Sequence, residues 1–285
     1  MEKLRIAIQK SGRLSEDSLA LIKECGIKIT NGMRTLKSDA LNFPLEFLFL
    51  RDDDIPGYVE DGVADVGIVG ENVWYETGRE VDVAKPLGFS KCRLSLAVPK
   101  HVEYTGIEDL QGANIATSYP KILGDYLSKR GVEAQLHVIS GSVEIAPSIG
   151  LADAICDIVS SGSTLFMNGL KEVETIFSSQ AVMIRNRQLS QAKQEILERL
   201  LFRINAVQKG QKNKYILLNA PQKSLEEIIR ILPGMRSPTV LPLAEEGWNS
   251  VHSVIQEDEF WEVIDQLKAA GAEGILVVPI EKMIL

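Results

Sequence analysis

Short apolar runs, each ending in a polar loop and followed by a helical segment, recur through the first two thirds of this chain, and that alternation most constrains its fold. Leu4–Ile8 stops at Gln9-Lys10-Ser11-Gly12-Arg13-Leu14, after which Ser15 reads as the N-cap of a helix ending at Glu24, closed by Gly26. Leu45–Leu50 stops at Arg51-Asp52-Asp53-Asp54, with a helix over Gly57–Asp61, and Asp65–Val69 stops at Gly70-Glu71-Asn72. The pattern continues with Arg93–Val98, a short helical start at Ile107–Leu110, Asn114–Ala116 ending in Thr117-Ser118, and a helix from Lys121 to Arg130. Gln135–Ile139 ends in Ser140-Gly141-Ser142, Asp153–Val159 ends in a Ser/Gly turn with a helix to Lys171, and Ala181–Ile184 returns. Strand and helix in this order argue for an α/β fold with a mostly parallel sheet. Polar residues collect at the strand C-terminal ends, where open α/β sheets bind ligands. Two such series suggest two lobes with a cleft between them.

The remainder reads differently. Gln191–Gln208 has the pattern of a long helix, and Lys209–Asn213 reads as a polar linker. A β-α-β-β-α-β series follows, with strands at Tyr215–Asn219, Thr239–Leu243, Ser250–Ile255 and Ile275–Pro279 and helices at Ser224–Ile231 and Asp258–Ala270. Ser224 with Glu227 is a capping-box signature, and Gly271 suits a helix C-terminus. That order resembles a ferredoxin-like domain.

Composition removes several function classes. A net charge of −8 argues against nucleic-acid binding, and an anionic ligand would need local donors. Cys25, Cys92 and Cys156 are far apart, and His101, His137 and His252 are scattered, which fits neither a disulfide framework nor a zinc site. No run of 18 apolar residues occurs and the N-terminus lacks a long apolar segment, so no membrane contact and a cytoplasmic location are expected. Phosphate-loop, dinucleotide and nucleophile-elbow fingerprints are absent, which weakens kinase, dehydrogenase and hydrolase readings.

The densest chemistry lies in Asp153-Ala-Ile-Cys-Asp157-Ile-Val-Ser-Ser161-Gly162-Ser163-Thr164-Leu165. Backbone N–H groups, hydroxyls and a helix start form a phosphate seat, although an ordinary capped turn has the same composition. Asp153 and Asp157, four apart on a strand, share a face and are costly to bury unless sugar hydroxyls or a metal partner them. Asp52-Asp53-Asp54 allows a metal reading too, against an Arg51–Asp52 pair and an Asp54 helix cap. Lys10, Arg13, Arg51 and Arg93, in strand-end loops, are candidate anion clamps or, singly, solvated surface charges. Glu71 could bind a ribose hydroxyl or simply favour a helix N-terminus, and Thr117 and Ser118 could contact substrate or cap a helix.

From Glu144 the chain continues through Gly150, Ala152, Ile155, Asp157-Ile158, Ser161-Gly162 and Thr164-Leu165. This spacing resembles the signature of the ATP phosphoribosyltransferase family, the first enzyme of histidine biosynthesis. The resemblance extends through Gln9–Leu14, Arg51–Gly57, Gly67–Asn72, Cys92–Ser95 and Ala116–Pro120, and Ser237–Thr239 and Val278–Lys282 match the long form. It implies a two-lobed core like type II periplasmic-binding proteins (1–95 with 180–210, and 96–179) and an ACT-like regulatory domain at 211–285. It implies attack of ATP N1 on phosphoribosyl pyrophosphate (PRPP), assisted by Mg2+ with ligands unknown. Asp157, Asp153 and Glu144 would be catalytic, and Ser161, Gly162, Ser163 and Thr164 would hold the 5-phosphate. Lys10, Gly12, Arg13, Arg51, Glu71, Arg93, Thr117 and Ser118 would bind ATP or pyrophosphate. Histidine would act as feedback inhibitor through Asn219, Met235, Ser237, Val254 and Gly274, where Asn219 replaces a carboxylate expected in some members, and AMP is a candidate second inhibitor with no site assigned. A homodimer assembling to a hexamer is implied. The alternative is a two-lobed binding protein or ligand sensor, against which stand the missing signal peptide and the missing basic helix-turn-helix.

Overall fold

The computed structural model describes residues 2–30, 36–160, 162–232, 234 and 237–285. They divide into two compact units, Met1–Ala20 with Ile27–Leu197, and Leu21–Gly26 with Glu198–Leu285.

The first unit holds two sheets. The first lobe contains β1 (Leu4–Gln9), α1 (Arg13–Glu24), β2 (Lys37–Asp39), β3 (Leu45–Leu50), α2 (Ile55–Glu60), β4 (Val66–Gly70), α3 (Glu71–Thr77) and β5 (Asp82–Pro86). The second contains β6 (Cys92–Pro99), β7 (Asn114–Thr117), α4 (Pro120–Arg130), β8 (Gln135–Val138), β9 (Ala154–Val159), α5 (Ser163–Met167) and β10 (Leu170–Ser179). The chain then returns as β11 (Ala181–Arg185) to the first sheet and enters α6 (Gln191–Lys212). Strand orders are β2-β3-β1-β4-β11-β5 and β10-β6-β9-β7-β8, the two-lobed, type II periplasmic-binding-like arrangement. β4 is buried on both faces at Val66, Ile68 and Val69, as a central strand must be.

The sheets are mixed, not mostly parallel as the sequence suggests. β3, β1 and β4 run parallel, as do β8, β7 and β9, but β11 against β4 and β6 against β9 are antiparallel. The returning strands must run antiparallel because each enters its sheet from the other lobe. β10 replaces the end of the expected helix to Lys171, which stops at Met167. Register shifts between Glu172 and Glu174 and between Thr175 and Phe177 break the alternation by which a strand is read.

Other local expectations also change. α1 begins at Arg13, where Glu16 N–H donates to the Gly12 carbonyl (3.1 Å), so Ser15 is a buried helical residue and not a cap. Asp54 gives α2 no side-chain cap.

In the second unit, β12 (Asn213–Pro221), α7 (Leu225–Ile231), β13 (Thr239–Pro242), β14 (Trp248–Gln256), α8 (Glu257–Ala269) and β15 (Glu273–Pro279) give the expected series, with sheet order β13-β14-β12-β15. Ile216, Leu218, Val251 and Ile255 bury one sheet face against Ile228, Phe260 and Leu267 of the helices. Ser224 makes no side-chain cap bond. The expected linker is absent, because α6 continues to Lys212 and passes into β12 at Asn213. Gly210, read as a linker residue, allows a close approach instead. A Cβ there would meet the Ile280 carbonyl oxygen at 2.7 Å, and Met283 N–H donates to Ala206 O at 2.8 Å.

Candidate active site

Parallel strands end at one edge of each lobe. β1, β3 and β4 deliver Gln9–Arg13, Arg51–Asp54 and Gly70–Asn72, while β7, β8 and β9 deliver Thr117–Tyr119, Ile139–Ser142 and the Ser/Gly turn. A cavity of about 500 Å3 is lined by Asp52, Asp53, Val73, Glu76 and Thr77 from the first lobe and Ser118, Tyr119, Ser140, Gly141 and Asp157 from the second.

The cavity is acidic. Burial raises the Asp157 carboxyl above the ordinary carboxylate range; a hydrogen bond from Ile158 N–H opposes this, and Glu144 adds to the rise. Burial also raises Asp52, with the charges of Asp53 and Asp54 adding and a backbone hydrogen bond opposing. Neither the Arg51–Asp52 pair nor any other ion pair involves Asp52, Asp53 or Asp157 among the described residues. Asp52 and Asp157 are half-buried and Asp53 is exposed; for the first two a carboxylate lacking a basic partner is costly, and a cation or hydroxyl-bearing ligand removes that cost.

Tyr119 has a fixed hydrogen-bond polarity. Asn72 N–H donates to Ser179 Oγ (3.1 Å), and Ser179 donates onward to Asn72 Oδ1 (2.7 Å). The Asn72 amide nitrogen must therefore face Tyr119, and it donates to the phenol oxygen at 3.2 Å. That leaves the Tyr119 O–H as a donor. Burial, and next the charge of Asp157, hold the Tyr119 phenol well above its ordinary value, whereas the Asn72 bond acts the other way.

The sequence-derived candidates separate into groups. Asp157 lines the cavity, and Glu144 lies in a short turn after β8 close enough to repel it. Gly162 (φ +78°) starts α5 in the left-handed region, a conformation glycine adopts without strain, and Ser163 and Thr164 are exposed in the first turn. Ser161 lies outside the described residues. Asp153 is not brought to this edge. It precedes β9 at the far end, where its carboxylate accepts from the backbone and side-chain nitrogens of Asn114 at 2.8 and 3.2 Å. The shared-face argument fails on distance, since four residues of strand span about 13 Å.

Ser118 lines the cavity and donates to Ile139 O (2.7 Å), whereas Thr117 is fully buried and accepts from Tyr119 N–H at 2.9 Å. Lys10, Gly12, Arg13 and Arg51 are exposed at the edge of the first lobe but do not line the cavity. Arg93 is already engaged. It pairs with both oxygens of Glu172 (2.5 and 2.6 Å) and reaches Ser160 O at 3.3 Å, bracing the start of the turn. Glu71 lines a different cavity with Lys91, Cys92 and Ser178 to Gln180.

In the second unit, Asn219 stands opposite Ser250 and Glu273, and a Cβ on Gly274 would lie 3.2 Å from its amide nitrogen. Val254 pairs with Tyr215, further along the strands, while Ser237 is exposed before β13. Met235 lies outside the described residues. Sequence reasoning missed His252, which links Tyr215 Oη and Ser250 Oγ at 2.9 Å each. It also missed Asn72, Tyr119 and Glu76. The first two stand within strand-end motifs that offered a signal, whereas Glu76 is mid-helix and offered none.

A family model described as ATP phosphoribosyltransferase matches residues 51–206, and one for the C-terminal domain of the same enzyme matches residues 210–282. An ATP phosphoribosyltransferase of Cytophaga hutchinsonii is 63% identical over 99% of this chain and 98% of its own length. The chain belongs to the ATP phosphoribosyltransferase family. A relative in Bacteroides thetaiotaomicron is 60% identical over 99% of this chain and 100% of its own. A chain of the ATP phosphoribosyltransferase HisG:HisZ complex of Thermotoga maritima matches with TM-score 0.59 and 28% identity, over 70% of this chain and 98% of that one. Membership makes the chain a phosphoribosyl-transferring enzyme of histidine biosynthesis, in the long form that carries the C-terminal domain. Among the described residues, no helix is long and apolar enough to cross a membrane.

Proposed function

We propose that this enzyme joins ATP to PRPP at the Asp157 cavity, giving N1-(5-phosphoribosyl)-ATP and pyrophosphate. The observation that carries the reading is the position of Asp157, which lines a cavity facing the acids of the other lobe and lies on the strand that feeds the Ser/Gly turn. Adenine N1 attacks the anomeric carbon as its bond to the pyrophosphate oxygen breaks, with inversion. No protein nucleophile is required. Asp157 and Glu144 orient ribose hydroxyls and stabilise the positive charge that develops on the ring. Gly162, Ser163 and Thr164, with Ser161, hold the 5-phosphate. Lys10, Arg13 and Arg51 neutralise phosphate oxygens at the edge of the first lobe, with Arg93 bracing the turn. Asp153 is left outside the catalytic set.

Mg2+ suits this donor set. Among the described residues no ion pair involves Asp52, Asp53 or Asp157, and Mg2+ is commonly held by one or two carboxylates together with substrate phosphates. When bound, the ion would offset the charge of the departing pyrophosphate.

Histidine, with AMP as a second inhibitor, regulates the enzyme; histidine binds the second unit around Asn219 and Gly274, with Ser237, Val254 and Met235 contributing. The subunits form dimers that assemble to hexamers, in the cytoplasm. The test is direct: ATP, PRPP and Mg2+ are mixed with the protein while adduct absorbance and pyrophosphate release are followed. Stoichiometric adduct and pyrophosphate are expected; neither product would sink the reading and favour a binding protein.

A further inference from the structure

The N-terminus of α4 is satisfied from the other lobe. Pro120 at its first position has no N–H, and Tyr119 before it provides no side-chain cap. The next two amides, Lys121 and Ile122, donate to the two oxygens of Glu76 at 2.8 and 2.9 Å. Glu76 lies on α3, which belongs to the first lobe, and so does the work of an N-cap across the cleft.

Neighbouring contacts converge on the same helix pair. Lys121 Nζ donates to Tyr75 O at 2.9 Å and lies 5.0 Å from the Tyr75 ring. Tyr75 donates to Asp125 Oδ2 at 3.1 Å and packs on Phe177, with ring centroids 5.5 Å apart. One turn earlier on α3, Asn72 donates to Tyr119. The segment held this way, Ser118–Tyr119, lines the cavity with Asp157.

We propose that Glu76 is a positioning residue of this enzyme: its carboxylate clasps the α4 amides across the cleft and thereby fixes Ser118 and Tyr119 against Asp157 before substrate arrives. The inference rests on the proposed reaction. The clasp sets the relation of the two edges that form the cavity, so its loss makes substrate binding bear the ordering cost while the chemical step proceeds once substrate is held.

Glu76→Gln and Glu76→Ala in the full-length protein test this. Amide hydrogen exchange at Lys121 and Ile122 should accelerate by about tenfold in E76A and by less in E76Q, which keeps one acceptor. KM for PRPP and ATP should rise about tenfold in E76A with kcat within about threefold, E76Q falling between. If E76A does not fold, E76Q carries both measurements. Unchanged exchange would overturn the clasp. Altered exchange with unchanged KM would reduce Glu76 to a structural cap, and a loss confined to kcat would mean that it acts on the reacting groups; either overturns the positioning role. If the unaltered protein forms no adduct, the reaction is wrong and the positioning role falls with it, whereas accelerated exchange would still uphold the clasp.

Discussion

Asp157 is the residue where stability and the proposed activity conflict. Burial penalises its charged form, and Glu144 penalises it further, so its folded carboxyl titrates above the value of about 3.9 for an unfolded aspartate. As pH rises from below that value through the raised folded one, the unfolded chain releases its proton first, and folding loses stability across that window. Asp157→Asn removes the charge at little change in volume. The expected result is a modest gain, about 1 kcal/mol or less because the group is partly solvated, and a melting temperature less dependent on pH there than the parent's. Turnover should fall at least about 100-fold if this carboxylate stabilises the ribosyl cation. Melting curves at several pH values and adduct assays check the two halves separately, and an active, unstabilised D157N would remove Asp157 from the site. The position of Asp157 beside the cavity was legible because it sits near the end of an apolar strand that runs into a hydroxyl-rich turn. The position of Asp153 was not, because face-sharing says nothing about which end of a strand a residue occupies.

At the scale of elements, what could be read depended on whether local pattern or tertiary contact decided the outcome. β1, β3, β4 and the C-terminal strands follow their apolar runs, and the ferredoxin-like order follows from their spacing. β10 has bulges that scramble its alternation, and the end of α6 carries a glycine that reads as a break. Gly210 is helical because a neighbouring backbone lies where a side chain would be. The Ile280 oxygen would be 2.7 Å from a Cβ, and the carbonyl carbon and oxygen of Glu281 would both be 2.9 Å from it. A helical glycine to alanine change usually gains stability, by about 1 kcal/mol. Here the sign should reverse. Gly210→Ala must displace the 280–281 backbone, at a cost of about 1–3 kcal/mol. Denaturant melts, together with hydrogen exchange at Met283, whose amide bonds Ala206 O at 2.8 Å, check it; a stabilised variant would refute the close-approach account.

At the scale of the whole molecule, the proposed chemistry belongs to the first unit and the proposed inhibitor seat to the second. Inhibition is then a coupling free energy between distinct sites, and such coupling is reciprocal for binding. If histidine weakens PRPP binding by some factor, PRPP must weaken histidine binding by the same factor. Titration calorimetry in both orders measures the factor: a finite factor that saturates as either ligand is raised is expected, whereas strict mutual exclusion would place histidine at the substrate cavity. The residue at 219 separates affinity from coupling. Asn219 offers the ligand's ammonium a neutral acceptor, where a carboxylate would add an opposite charge and make the bond an ion pair. Asn219→Asp should therefore tighten histidine binding by about fivefold to tenfold, at a small stability cost from Glu273 across the strand pair. Because the change acts on the seat and not on communication, the coupling factor should match the parent's. Unchanged histidine affinity would remove Asn219 from the inhibitor seat. A changed factor would instead show that residue 219 takes part in transmitting the signal.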